Sequence, residues 1–377
     1  MTKLNVFFDD YEYFRFSSAS GSWGIENNLA FKEASLSAIP NVQINNFIRD
    51  IKAKRKMLAR MFIDDKLFIE SFVDSDNFQY RDTASGGTEI DIQLSDRFTG
   101  LKNSDIIKTK PVGNLQNFIS SMLTELDYSS PTYIKTYNRK IKKSDDFIIN
   151  GTGVVSQKIK SFTRNDIVEK DAKSLLGEAL SLSNLLLVSN GYDTLSLEKT
   201  NEYPKPIFYL FRTDKICNIK TMEKVGANNE PTPSTIVVLN SSGVREEGSK
   251  KIKKDHNSSV IVNYKAGIPH IKKVKHISAS ASYQDIKKSI DFHFAGITAA
   301  SNSFVYRISN SVFDKNGDFF RPNRLVRLKD DKYLINEDMQ ILRASFNIDP
   351  TSTEISLNLT TQNSFDNNAS LNRNKKK

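Results

Sequence analysis

Two stretches of this chain alternate apolar and polar residues one by one, and that period of two constrains the fold more than any other feature. In Thr88–Ser95, Ile90, Ile92 and Leu94 fall on one side, while Asp91, Gln93 and Ser95 fall on the other. In Thr353–Thr361, Ile355, Leu357 and Leu359 repeat the pattern against Ser356, Asn358 and Thr360. Such alternation describes a half-buried strand and cannot present one apolar face on a helix. The two stretches also share a context. Asp64-Asp65-Lys66 precedes Thr88-Glu89-Ile90 by 24 residues, Asp330-Asp331-Lys332 precedes Thr353-Glu354-Ile355 by 23, and each strand soon reaches a Phe, Phe98 or Phe365. Either short polar tripeptides recur by chance, or the chain holds two related β-barrels separated by a helix-bearing middle.

The first third reads as sheet. Leu4, Val6 and Phe8 alternate before the turn residues Asp9-Asp10, and strand-like runs follow at 28–39, 60–63, 67–74, 78–80 and 89–95. Ser85-Gly86-Gly87 is the expected hairpin turn, and Ile44, Phe47, Ile48 and Ile51 give a short helix or loop. Near Pro111 the period changes. Asn114 can cap a helix whose Leu115, Phe118, Ile119, Met122, Leu123 and Leu126 form one apolar face. Thr163-Arg-Asn-Asp opens a second helix, with Leu175, Leu176 and Leu180 inward. Asn190-Gly191 then turns a tight hairpin. Strands at 235–239 and 260–264, a third helix at 283–300 and four closing strands complete the pattern. The expected organisation is a first β-barrel domain at 1–110, an α+β middle at 111–200, and an irregular β-rich domain at 201–282. A helix with the strands that complete the second barrel follows at 283–366, and a disordered tail at 367–377. The fold class is mixed, mainly β: two related antiparallel β-barrel domains with helix-containing α+β parts between and beside them.

Composition narrows the function classes. Apolar residues make up 38%, a thin core for 377 residues, yet 24 Phe and 13 Tyr are too many for a disordered chain. Thin sheets, or subunits finished by partners, reconcile the two. The first ten residues carry no secretory apolar region, and the uncharged stretch near 179–192 is short of the about 20 apolar residues that span a bilayer. Synthesis in the cytoplasm and no membrane insertion are the expectations. Fifty-four Lys+Arg against 44 Asp+Glu give +10. The excess sits in the runs 52–56, 139–143, 250–254, 272–275 and 375–377, with no interleaved aromatics to make a stacking platform for bases.

Catalytic constellations are sparse. His256, His270, His276 and His293 have no metal-ligand spacing, and the single Cys217 has no partner for a disulfide and reads as a buried, inert thiol. Gly151-Thr-Gly153 lacks the third glycine of a dinucleotide loop, and no nucleophile elbow or P-loop occurs. A glycosidase needs two carboxylates held about 5–10 Å apart, and no pair stands out among 44 acids. Hence no catalytic, cofactor-binding or metal residue is assigned, and no cofactor or enzymatic activity is expected.

The order of three segments resembles baseplate hub proteins of contractile phage tails: the late-control D type of Mu-like phages, related to the T4-type central hub and to the N-terminal part of type VI secretion spike proteins. The segments are MFIDDKLFIESFVDSDNFQY with TEIDIQLSDRFTGLKNSDI, then FTRNDIVEKDAKSLLGEALSLSNLLLVSNGYDTLSLEK, then FDKNGDFFRPNRLVRLKDDKYLINEDMQILRASFNIDPTSTEISLNLTTQNSFD. They cover about half the chain in the family's order, with Phe320 where the family often has Trp. The resemblance implies a homotrimer whose two barrels per subunit make a ring of six, with Ile90, Ile92, Leu94, Ile355, Leu357 and Leu359 on the inter-subunit barrel strands. Such a virion ring joins the hexameric tail tube protein to the trimeric central spike protein. It touches tape-measure and baseplate wedge proteins and meets DNA only in passage. The basic runs are then expected outside the channel. Two alternatives stand beside it: a tail-associated peptidoglycan-degrading lysin on the same scaffold, and a basic nucleic-acid-binding protein.

Overall fold

The computed structural model describes residues 2–9, 11–13, 16–26, 28–39, 57–82, 88–104, 172–183, 185–199, 203–225 and 303–361 with few gaps, and shorter stretches at 118–123, 132–134, 148–151, 235–240, 258–263 and 272–277. The first eight strands are β1 (Leu4–Phe8), β2 (Tyr11–Tyr13), β3 (Phe16–Glu26), β4 (Leu29–Ala38), β5 (Met57–Ile63), β6 (Lys66–Val73), β7 (Phe78–Asp82) and β8 (Thr88–Ser95). The middle holds β9 (Thr132–Ile134), β10 (Ile148–Gly151), the helix Ala172–Ser183, β11 (Leu185–Ser189) and β12 (Thr194–Lys199). Then come β13 (Pro206–Arg212), β14 (Thr221–Val225), β15 (Thr235–Asn240), β16 (Ser258–Asn263) and β17 (Lys272–Ile277). The chain closes with β18 (Ser303–Ser309), β19 (Leu325–Asp330), β20 (Ile335–Ile348) and β21 (Thr353–Thr361).

The protein is mainly β, with mostly antiparallel sheets, as the alternation requires. A four-stranded sheet runs β2-β1-β5-β6, and β15 to β17 form a separate sheet of three. The remaining strands share one large sheet, whose path β14-β18-β21-β20-β3-β4 continues into the hairpin β11-β12. Parallel pairs enter where the middle of the chain joins, as in β4 with β11 and β10 with β12. The expected helix starting at 114 is represented by helical residues at 118–119 and 121–123, with Phe118, Ile119, Met122 and Leu123 buried. The loop at 83–87, the segments 163–171 and 283–300, and the tail lie outside the described residues.

Both Asp-Asp-Lys segments sit at hairpin turns. Asp64 and Asp65 both take positive φ, 47° and 61°, in a two-residue turn that sets Ile63 opposite Lys66. Aspartate tolerates this left-handed conformation, which matches the twist of the flanking strands. Asp330 ends β19 opposite Ile335, and Leu334 with φ 54° closes the wider turn. From the first turn the chain runs through β6 and β7, and from the second through β20, before an alternating strand pairs with an earlier one: β8 with β4, and β21 with β18. The two halves therefore share the strand order around their alternating strands, although β5 has an antiparallel outer neighbour, β1, where β19 has a parallel one, β13.

One strand joins the halves. β20 pairs with β19 over Ile335–Gln340, and after an irregularity between Ile341 and Arg343 it pairs with β3 over Arg343–Ile348. A bulge bends the strand and lets it serve two neighbours on one side in succession. The core is continuous across this joint, running from Phe8, Met61 and Ile92 to Tyr306, Leu328 and Leu357, each fully buried or nearly so. Ladders in the second half run β14-β18-β21-β20-β19-β13, and Arg212 and Cys217 bridge the chain between β13 and β14. Asn218 caps the β13 edge: its Oδ1 accepts from the Phe211 N–H at 2.7 Å and its Nδ2 donates to the Tyr209 carbonyl at 2.8 Å. Covering an edge in this way blocks pairing with stray strands.

Cys217 departs from the sequence expectation. It is exposed, not buried, because the bridge to Arg212 turns it outward while Ile219, two residues on, takes the inward place.

Candidate functional site: a polar face across eight strands

The large sheet presents one polar face along β7-β8-β4-β3-β20-β21-β18-β14. Period two puts it there, since residues that leave the core from each strand emerge on the same side, and the registers keep them in rows. Gln79 and Arg81 stand opposite Asp91 and Glu89. Asp91, Gln93 and Ser95 stand opposite Ser37, Ser35 and Glu33, and these opposite Ser18, Ser20 and Ser22. The face enters the second half through Ser22–Ser345 and Ser20–Asn347. It then passes Ser356 and Asn358 to Arg307, and ends at Thr221 and Glu223 of β14.

Short hydroxyl and amide side chains dominate, and the charged ones answer each other. Arg81 binds Glu89 at 2.6 Å and Asp91 at 3.5 Å, Ser37 donates to Asp91 at 2.5 Å, and Lys220 reaches Glu354 at 2.8 Å. Carboxylates at Glu33, Glu89, Asp91, Glu223 and Glu354 outnumber by one the cations Arg81, Lys220, Arg307 and Arg343. A surface of this kind offers no cationic track for phosphates. Of the five basic runs, Lys272–Lys275 falls on β17 in the separate sheet, and the others lie outside the described residues.

The face has two free ends. β7 and β14 each have one strand neighbour among the described residues, β8 and β18 respectively. Tyr80 of β7 lies on the core side, opposite Ile90, yet is 58% exposed. The six strand residues singled out from the sequence all lie behind the face. Ile90, Ile92 and Leu94 of β8, and Ile355, Leu357 and Leu359 of β21, are buried in the chain's own core. Each of these strands has neighbours on both sides within the chain.

The polar groups that lock the two halves together were not found from sequence. Lys32 of β4 is buried; its Nζ donates to the Phe68 carbonyl at 2.8 Å and stands 4.2 Å from the Trp23 ring centroid, 4.6 Å from that of Phe68 and 5.2 Å from that of Phe319. Burial, helped by the nearby Arg321 and opposed by Asp96, lowers its pKa to about 7. Asp96, also buried, accepts from the Lys32 and Phe98 N–H groups; burial raises its pKa, and those hydrogen bonds hold it back. Nearby, Glu198 of β12 accepts from Arg321, from Arg324 at 3.1 Å and from Asn323 at 3.2 Å. On the far side Asp330, fully buried, binds Arg212 at 2.8 Å and the Tyr306 hydroxyl at 3.3 Å. Burial, then the Asp330 charge, pushes the Tyr306 phenol above its ordinary range. One signal for Lys32 was available: a lysine inside the otherwise apolar run Leu29-Ala-Phe-Lys32, all four of which are buried.

These groups serve packing. Among the described residues no three His, Cys, Asp or Glu side chains gather as a metal would need, and no helix is long and apolar enough to cross a membrane. His276 falls on β17, and the other three histidines lie outside the described residues.

No protein-family profile matches the sequence, and no curated protein resembles it significantly. Solved structures do match. The 43 kDa tail protein of prophage MuSo2 from Shewanella oneidensis superposes with a TM-score of 0.69 at 12% identity, over 97% of this chain and 100% of that one. A tail protein from Neisseria meningitidis MC58 gives 0.66 at 13%, over 97% and 98%. The fold is that of phage tail proteins. Prophage tail protein gp18 from Listeria monocytogenes EGD-e matches more loosely, with a TM-score of 0.51 at 11% identity over the full length of both chains. The likeness to the first two spans both halves of the chain.

Proposed function

We propose that this chain is the structural hub of a contractile tail baseplate. Three copies form a ring in which each chain supplies two topologically matching β units, giving pseudo-sixfold symmetry. One side of the ring meets the hexameric tail tube and the other the trimeric spike, with tape-measure and wedge proteins as further neighbours in the virion. The role is structural and not enzymatic.

The observation that carries this reading is the eight-strand polar face whose end strands, β7 and β14, each have one open edge among the described residues. A face that is mostly polar suits a wet surface, and open edges at both ends suit continuation into further copies. Strands lie about 4.8 Å apart, so three copies of eight make a circumference of roughly 115 Å and a diameter of about 37 Å, larger once the strands tilt. That leaves room for duplex DNA inside a lining of side chains. Mixed charge with a surplus of carboxylates suits passage, because tight phosphate binding would hold the DNA in place. It also argues against the nucleic-acid-binding alternative.

The test is imaging. Negative-stain class averages of the purified chain should show a ring with a central hole and threefold or pseudo-sixfold outline. Solid particles lacking a hole, joined to loss of turbidity on purified peptidoglycan, would favour the lysin instead.

A further inference from the structure

The two halves of one chain contain a template for the joint between copies, and the inference drawn from it rests on the trimer proposed above. The repeated segments align Ile90, Ile92 and Leu94 with Ile355, Leu357 and Leu359. The neighbouring strands then correspond through their registers. Tyr80, opposite Ile90, matches Phe346, opposite Ile355. Leu36, opposite Ile92, matches Tyr306, opposite Leu357. One strand further out, Ala19 matches Met222, since they stand opposite Leu36 and Tyr306 respectively. By these matches β7 is the counterpart of the second part of β20, and β14 is the counterpart of β3.

Within the chain, β20 and β3 make the joint between halves, with Asn347 opposite Ser20 and Phe346 opposite Gly21. Their counterparts, β7 and β14, are the two free ends of the polar face. We propose that β7 of one copy pairs antiparallel with β14 of the next, with Arg81 opposite Glu223 and Tyr80 opposite Lys224. A head-to-tail contact of this kind closes a ring when its rotation matches the number of copies.

The chemistry of the two edges fits that register, which was obtained without reference to charge. Arg81 is 58% exposed while bridged to Glu89 and Asp91, and a guanidinium with five N–H groups can serve a further carboxylate. Glu223 is exposed on the same face. Opposite charges directly across an antiparallel pair attract, and like charges there would repel. On the core side, the exposed ring of Tyr80 would lie against the aliphatic stem of Lys224, as Phe346 lies against Gly21 in the joint within the chain. A five-residue strand is thereby paired instead of left open at each end.

Cysteine pairs test the register, because directly opposed residues in an antiparallel ladder come within disulfide range. With Cys217→Ser as background, Arg81→Cys/Glu223→Cys and Gln79→Cys/Val225→Cys are the in-register pairs, and Gln79→Cys/Glu223→Cys is the offset control. The second pair leaves Arg81 and its bridges intact, so it remains informative if the first disturbs folding. Each is oxidised, run on a non-reducing gel and weighed by native mass. The expected result is a trimer in which the in-register pairs give covalent dimers and trimers while the offset pair does not. A trimer that links at neither in-register pair, or equally at the offset pair, overturns this joint and leaves the hub reading standing. Absence of any trimer overturns both.

Discussion

The Cβ that Gly21 lacks would stand 2.4 Å from Cζ of Phe346, in the ladder that joins the two halves. The ring cannot simply swing away, because it also packs edge-on against Phe68 with centroids 4.9 Å apart. Gly21→Ala should therefore destabilise by about 1–3 kcal/mol, the usual effect of overpacking. In a double-mutant cycle with Phe346→Leu, measured by urea unfolding, part of that loss should return. Additive effects would show that the two residues do not press on each other.

Lys32 makes stability depend on pH in a defined direction. Its pKa is lowered to about 7 in the folded protein from 10.5. Between those values the unfolded chain holds a proton that the folded chain lacks, so stability rises with pH, by about 1.4 kcal/mol per unit. Below 7 both states are protonated, the slope vanishes, and the cost of the buried cation is fully in place, offset in part by the aromatic rings around it. Lys32→Met should thus stabilise most at or below neutral pH, with the gain shrinking toward pH 10. Denaturant melts of both proteins across that range check the sign; a gain that grows with pH would contradict it.

Asp330 is a buried carboxylate held by Arg212 and Tyr306. Removing the cation while leaving the anion in the core typically costs about 3–5 kcal/mol, whereas losing one hydrogen bond to a charged group costs about 1.5–3. Arg212→Ala should accordingly lower the melting temperature more than Tyr306→Phe. Equal shifts would mean that water reaches the carboxylate.

The alternating strands can be tested at their centres. Ile92 and Leu357 are enclosed by their neighbours and closed to solvent, each at 0% accessibility. Ile92→Asp or Leu357→Asp buries an unpaired charge at several kcal/mol, enough to unfold a typical domain. Soluble, normally melting protein from either variant would reject the strand assignment.

Alternation made both β8 and β21 legible, because a half-buried strand writes its burial directly into sequence. Long-range pairing left no such mark. Nothing in Ser18–Ser22 or Ser345–Asn347 says that these stretches lie side by side; only the fold brings them together, and with them the polar face. Most residues at the junction are hidden for the same reason: Asp96 and Glu198 look like surface charges until the elements that cover them are in place, and only the apolar run before Lys32 points to its burial. Asn190-Gly191 marks a turn in the sequence, but the turn is wider than two residues, held by Asn190 Oδ1 accepting from the N–H groups of Tyr192, Asp193 and Thr194.

Native mass is the most direct measure of the central claim. A ring of three chains of 42.7 kDa each should be found as a single species at three times that mass, persisting on dilution until it falls to monomer without a stable dimer. A chain that stays monomeric at the highest concentration reached, or that stops at an even-numbered assembly, would contradict a trimeric hub.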